Sequence, residues 1–137
     1  MQTVAKTLGL EGKSSADYTR LADFFLANGE LEGAEGAAEL ALAISPDDAD
    51  AWVALGAARA KRKAYREAVP AYLEALRRRP NDIAAWTDLG ETYVYLMDFE
   101  HAGAALERAL ELDPKGENPW GRRARAIVAR VLKQLRK

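Results

Sequence analysis

Apolar side chains recur at steps of three and four residues along most of this chain. Trp52, Leu55 and Ala58 form one such stripe, and Ala68, Tyr72, Ala75 and Leu76 form the next. The pattern returns with Trp86, Leu89 and Tyr93, then with Ala102, Leu106 and Leu110. A helix of 3.6 residues per turn brings such positions onto one face, whereas a strand would need alternation, so the spacing predicts paired amphipathic helices. Small residues (Gly56 and Ala68 in one pair, Gly90 and Ala102 in the next) fall where two helices must approach closely. Pro46, Pro80 and Pro114 bias the preceding residue out of the helical region and predict the end of each second helix. Asp47 and Asp48, Asn81 and Asp82, and Asp113 beside those prolines supply turn and N-cap chemistry for the helix that follows. Asn28 and Gly29, Arg62 and Lys63, and Met97 and Asp98 stand at the turns inside the pairs. Only the first has the glycine suited to a helix end, so the other two are predicted to use less favourable dihedrals. Pro70 falls a few residues into a predicted helix, where it removes one backbone donor.

The helical stripes repeat as a set. Trp52, Trp86 and Trp120 stand 34 residues apart, and Tyr18 lies a further 34 upstream. The same offset links Ala34, Ala68 and Ala102, then Ala41, Ala75 and Ala109, and finally Pro46, Pro80 and Pro114. A fixed period of this size is the signature of stacked repeats, each of which buries its apolar face against its neighbours. The units are placed at 15–48, 49–82 and 83–116, with a last helix over 117–137 and a leader over 1–14. Val4, Leu8 and Leu10 give the leader either one short amphipathic turn over the first unit or no fixed structure.

These residues resemble the tetratricopeptide-repeat (TPR) family. The middle unit carries Trp52, Leu55, Gly56, Ala68, Tyr72, Ala75 and Pro80; the third carries Trp86, Leu89, Gly90, Tyr93, Ala102, Leu106, Ala109 and Pro114. The first is weaker, with Tyr18, Leu21, Ala22, Phe25, Ala34, Ala38, Ala41 and Pro46. The resemblance implies an all-α, right-handed superhelical stack of three helix-turn-helix units closed by a C-terminal capping helix. Its structural core would include Tyr18, Leu21, Trp52, Leu55, Gly56, Ala68, Trp86, Leu89, Gly90, Ala102 and Trp120. It also implies that the first helices of successive units line a concave groove that receives a partner's peptide. The matching positions are Thr19, Arg20, Asp23 and Leu26, then Asp50, Val53, Ala54, Ala57, Ala60 and Lys61. Thr87, Asp88, Glu91, Val94 and Tyr95 follow, with Arg122 and Arg125 on the last helix. The alanines leave room for a partner's apolar anchors. Family members that clamp a terminal carboxylate do so with lysine, asparagine and arginine, whereas Thr19, Asp23, Ala54 and Asp88 stand at the matching places here, so no such clamp is expected. The acids favour a ligand with some positive charge. The stretch Ala54, Leu55, Gly56, Ala57, Ala58, Arg59 and the closing helix are similar to the small TPR chaperones of bacterial type III secretion, which bind translocator subunits; the leader here is shorter than in that subfamily.

Composition narrows the function classes. The chain has 137 residues, 49% hydrophobic and 30% charged, as an ordinary globular domain does. No run of 18 apolar residues is present to span a membrane, and the leader lacks the apolar core of a signal peptide. Without cysteine there are no disulfides or thiolate metal sites, and the cytoplasm is the expected compartment. His101 is the single histidine, and no nucleophile set, metal-ligand cluster or glycine-rich phosphate loop accompanies it. The expectation is a non-catalytic protein without cofactor or metal.

The net charge of −1 divides unevenly. Seven basic residues and no acid follow Glu117, which leaves the preceding part with 13 basic and 21 acidic groups. Asn118 and Pro119 open the last helix, and Ala124, Ile127, Val128, Val131, Leu132 and Leu135 form its apolar stripe. A solubilising cap over the third unit accounts for this, and basic residues late in a helix suit its dipole. Nucleic acid is disfavoured because no stacking aromatics are interleaved with the charges and the remainder is acidic. Two readings remain: an adaptor or chaperone that holds a peptide in the groove, or a structural protein that self-associates through the last helix or the leader into homo-oligomers.

Overall fold

The computed structural model describes residues 12–137. The first eleven residues of the leader, with Val4, Leu8 and Leu10, lie outside the described residues. Seven helices follow among the described residues: α1 (Ser15–Ala27), α2 (Leu31–Ile44), α3 (Ala49–Lys61), α4 (Tyr65–Arg78), α5 (Ile83–Tyr95), α6 (Phe99–Leu112) and α7 (Pro119–Leu135).

Side chains at the expected turns cap every helix but α2 and α4, whose starts at Glu30 and Ala64 carry no side-chain cap. Ser14 and Asp17 form a reciprocal capping box ahead of α1. Asp48 accepts from the Ala51 amide at 3.2 Å, Asp82 from Ala85 at 3.1 Å and Asp98 from His101 at 3.2 Å. The turns within the pairs share one geometry. Gly29, Lys63 and Met97 occupy the left-handed region at φ of 74°, 67° and 61°. In each case the next amide reaches back to a carbonyl in the last helical turn: Glu30 to Phe25, Ala64 to Arg59 and Asp98 to Tyr93. Two of the three positions thus hold a side chain where glycine would be relaxed. Pro70 is the sixth residue of α4, past the first turn, and the helix continues through it to Arg78.

Each odd-numbered helix packs against the next odd one, while α2, α4 and α6 touch only their odd-numbered neighbours. The inner row is therefore tight and the outer row fans apart. A stack built this way curves, with the odd helices lining its concave face. Close approach within pairs depends on missing side chains. A methyl group on Gly56 would stand 2.8 Å from the Tyr72 ring, and one on Gly90 would stand 2.6 Å from Leu106 Cγ. The core runs along the stack rather than collecting at one centre. Ala22, Ala38, Leu55 and Ala71 fill the first junction, Ala68, Tyr72, Leu76 and Leu89 the second, and Leu106, Ala109, Ala124 and Ile127 the third. Tyr18, Leu55, Ala68, Leu89 and Ala102 are buried, while Leu21, Trp52 and Trp86 pack against these clusters partly covered.

Trp120 departs from the expected core and stands 40% exposed. Trp52 and Trp86 are the fourth residues of their helices, and their indole Nε1 groups donate to the Pro46 and Pro80 carbonyls at 2.8 and 2.7 Å. Trp120 is only the second residue of α7, because the turn before it is longer. Asp113 organises that turn by accepting from the Glu117 and Asn118 amides at 2.9 and 3.2 Å, and Asn118 is the cap, as its place before Pro119 predicts. The last helix thus begins two residues beyond the repeat register.

Candidate binding groove

The concave face encloses an open cleft of about 980 Å³. Its floor is α3, where Val53, Ala54, Ala57 and Ala60 present little more than methyl groups. Thr19, Arg20, Asp23 and Leu26 form the α1 wall, and Asp88, Glu91 and Tyr95 form the α5 wall, with Asp50 and Lys61 at opposite ends of the floor. The repeat explains the layout. Positions 34 apart occupy the same height on successive inner helices, so Asp23, Ala57 and Glu91 share one level and Arg20, Ala54 and Asp88 the level below.

Four residues expected in the groove lie elsewhere. Thr87 is fully buried between α5 and α7, and its hydroxyl donates to the Trp120 carbonyl at 3.1 Å. Val94 packs into the third core cluster. Arg122 donates to the Gly116 and Glu117 carbonyls at 3.1 and 2.8 Å, and Arg125 reaches Asp113 Oδ2 at 3.3 Å. Both arginines are held by the turn before α7, and Arg123 takes the place in the cleft. Sequence reasoning also missed Tyr65 and Tyr72. Both belong to α4, an outer helix, yet both reach the cleft. Tyr65 stacks on Tyr95 with ring centroids 4.7 Å apart and planes 9° from parallel. An aromatic at the start of a second helix, one short turn from the groove, was the available signal.

Arg20, Asp48, Asp50, Glu91 and Arg123 in the cleft have partners, whereas the Lys61 and Lys63 amines and the Asp23 and Asp88 carboxylates make no hydrogen bond or ion pair among the described residues. Arg123 donates to both Glu91 oxygens at 2.8 and 2.9 Å, Arg79 meets Asp50 at 2.6 Å, and Arg20 pairs with Asp17. Asp48 accepts from Ser15 at 2.5 Å and from Thr19 at 3.2 Å, tying α1 to the start of α3. Asp23 and Asp88 differ. Burial pushes the Asp23 carboxyl above its ordinary value, and nearby Asp50 adds to this. Burial and then Glu91 push Asp88 up to about 7. His101 is outside the cleft; its Nδ1 lies 2.8 Å from Asp98 and its ring stacks on Tyr93.

Tetratricopeptide-repeat models match residues 16–58, 51–84 and 83–115, which together run through three consecutive units. The chain belongs to the tetratricopeptide-repeat family. TPR domains mediate protein–protein interaction and typically serve as non-catalytic scaffolds. Among curated proteins, the peroxisomal targeting signal receptor of Candida albicans (strain SC5314 / ATCC MYA-2876) is 34% identical over 88 residues, 64% of this chain. The match spans only 15% of that receptor. Among solved structures, MamA is similar with a TM-score of 0.71 and 25% identity, over 81% of this chain and 61% of MamA. The first TPR of Spaghetti (RPAP3), solved bound to an HSP90 peptide, has a TM-score of 0.81 at 17% identity over 90% of this chain and 94% of its own, a likeness of fold. Among the described residues, no helix is long and apolar enough to cross a membrane.

Proposed function

We propose that this TPR chain is a non-catalytic docking module that holds a segment of a partner protein in its concave groove. The observation that carries the reading is the alanine floor of the cleft, Ala54, Ala57 and Ala60, open between two polar walls. Each partner side chain buried there gains roughly 1.5–3 kcal/mol from area removed from water. Ordering the segment erodes the sum, so micromolar affinity is the expected range. The RPAP3 domain of the same fold is solved with an HSP90 peptide, but Thr19, Asp23, Ala54 and Asp88 do not supply the cations that a terminal carboxylate requires. A chaperone for translocator subunits in bacterial type III secretion is the finer form of this reading. It rests on the stretch from Ala54 to Arg59 and on the basic closing helix. The same reading takes the chain to act in the cytoplasm.

The test is affinity capture from extract of the native host with quantitative mass spectrometry, comparing wild type with Ala57→Trp, which fills the floor. A partner kept by the wild type and lost by the variant, at equal helicity, supports the groove and names the pathway. Equal recovery from both overturns it.

Self-association is the second reading, and one observation favours it: Leu132 and Leu135 on α7 are 46% and 59% exposed beside the partly covered Val131. Light scattering at rising concentration, repeated with Leu132→Lys and Leu135→Lys, decides it; a constant monomer mass removes it.

A further inference from the structure

The repeat ladder places two methyl groups of α3, at Ala54 and Ala57, between carboxylates on both walls of the cleft. Glu91 and Asp50 are neutralised by arginines, as described above. The Asp23 and Asp88 carboxylates make no hydrogen bond or ion pair among the described residues, and Arg123 and Lys61 act on Asp88 only through space. The cleft walls half-cover Asp88, which disfavours its charged form in the empty groove; Asp23 stands exposed on the other wall, where nearby Asp50 also opposes its charge. A ligand that brings positive charge relieves this, and one that brings negative charge aggravates it.

Arginine and lysine fit both features of the site, since an aliphatic stem can lie on apolar surface while the charged head stays at its edge. We propose that the groove takes a basic segment of a partner protein, with arginine or lysine stems across Ala54 and Ala57 and their heads paired with Asp88 on one wall and Asp23 on the other. This rests on the groove reading and specifies its ligand. Packed helices lie roughly 8–10 Å apart, so α1 and α5, separated by α3, are roughly 16–20 Å apart. An extended chain advances about 3.3 Å per residue and crosses that span in about five or six residues. Because each stem covers part of that span from the floor to its wall, the two cations stand at separate positions within a stretch of about six residues.

The experiment selects random nonapeptides displayed on phage against the immobilised full chain. Enriched peptides, labelled with fluorescein, are then titrated by anisotropy into wild type, Asp88→Asn, Asp23→Asn and Ala57→Trp, with circular dichroism as a check on folding. The expected result is enrichment of arginine or lysine at two separated positions, binding weakened at least about fivefold by either asparagine variant, and a shallower salt dependence in both. Enrichment of neutral or acidic peptides, or unchanged binding to both asparagine variants, overturns the basic ligand while the groove reading stands if Ala57→Trp still blocks. Peptides that bind Ala57→Trp as well as wild type, or no enrichment at all, overturn the groove reading and this inference with it.

Discussion

The carboxylate of Asp113 lies directly against Gly121: a methyl group on that glycine would stand 2.6 Å from Asp113 Cγ and 2.7 Å from its Cβ. Asp113 is buried, and it gathers the Glu117 and Asn118 amides and the Arg125 guanidinium around itself. Burial alone would raise its pKa, but those donors outweigh it and hold the carboxyl below its ordinary value. The contact therefore fixes both where α7 starts and how it is turned against α5 and α6. Gly121→Ala is expected to destabilise the fold by about 1–3 kcal/mol, the usual cost of overpacking a site that cannot yield. Urea denaturation followed by circular dichroism measures it, and an unchanged midpoint would show that the turn relaxes freely.

Met97 sits at a φ of 61° where the first unit has Gly29 at 74°. A side chain in that region costs roughly 1–2 kcal/mol. Glycine removes the strain but frees the unfolded chain by about 0.4–1 kcal/mol. Met97→Gly is thus expected to stabilise by about 0.5–1 kcal/mol, and its exposed side chain leaves no core contact to lose. A lower urea midpoint than wild type would contradict this.

Apolar periodicity and the 34-residue offset make the helix pairs and their stacking legible in the sequence. Trp52 with Pro46, Gly56 with Tyr72 and the aspartate caps all join residues within half a repeat of one another. The orientation of α7 is not legible in the same way. It depends on one side chain, Asp113, gathering amides four and five residues ahead so that α7 starts two residues beyond the repeat register, and that shift exchanges Arg122 and Arg125 for Arg123 in the cleft. Tyr65 escapes sequence reasoning for a related reason: it enters the groove from an outer helix, a placement that depends on how α4 leaves its turn. Which acids lack partners is equally a tertiary fact. Asp50 and Glu91 read the same as Asp23 and Asp88 along the chain, and only the reach of Arg79 and Arg123 separates them.

Pro70 interrupts α4 at its sixth residue, on an exposed position, with no donor for the carbonyl four residues before it. An interior proline costs a helix about 3 kcal/mol, and its stiffening of the unfolded chain returns about 0.4–1 kcal/mol. Pro70→Ala is expected to raise stability by about 2 kcal/mol in urea denaturation. Amide exchange should also slow in the second half of α4. No gain in either would mean that the helix already accommodates the ring without loss.

Asp88 gives the fold a pH dependence of definite sign. Glu91 and Asp82 face it from its own helix and cap, Lys61 from α3, Tyr72 from α4 and Arg123 from α7. Its ordinary pKa is 3.8, and in the fold it rises to about 7, because burial and Glu91 oppose the charge. Between those values the folded state holds the proton more strongly than the unfolded chain, so this group's contribution is fully present below about 3.8 and is lost as pH rises through about 7. The displacement corresponds to at most about 4 kcal/mol, and solvent in the open cleft screens it to about 1–2 kcal/mol. Asp88→Asn should therefore match wild type near about pH 4 and exceed it by about 1–2 kcal/mol at about pH 8. The opposite trend of Asp48, Asp98 and Asp113, whose carboxyls lie below their ordinary values, is common to both proteins and cancels in the difference. Urea midpoints of the two proteins across that pH range give the curve directly. A difference that stays flat would mean that Asp88 is ionised throughout, with Arg123 and Lys61 supplying enough field to hold its charge.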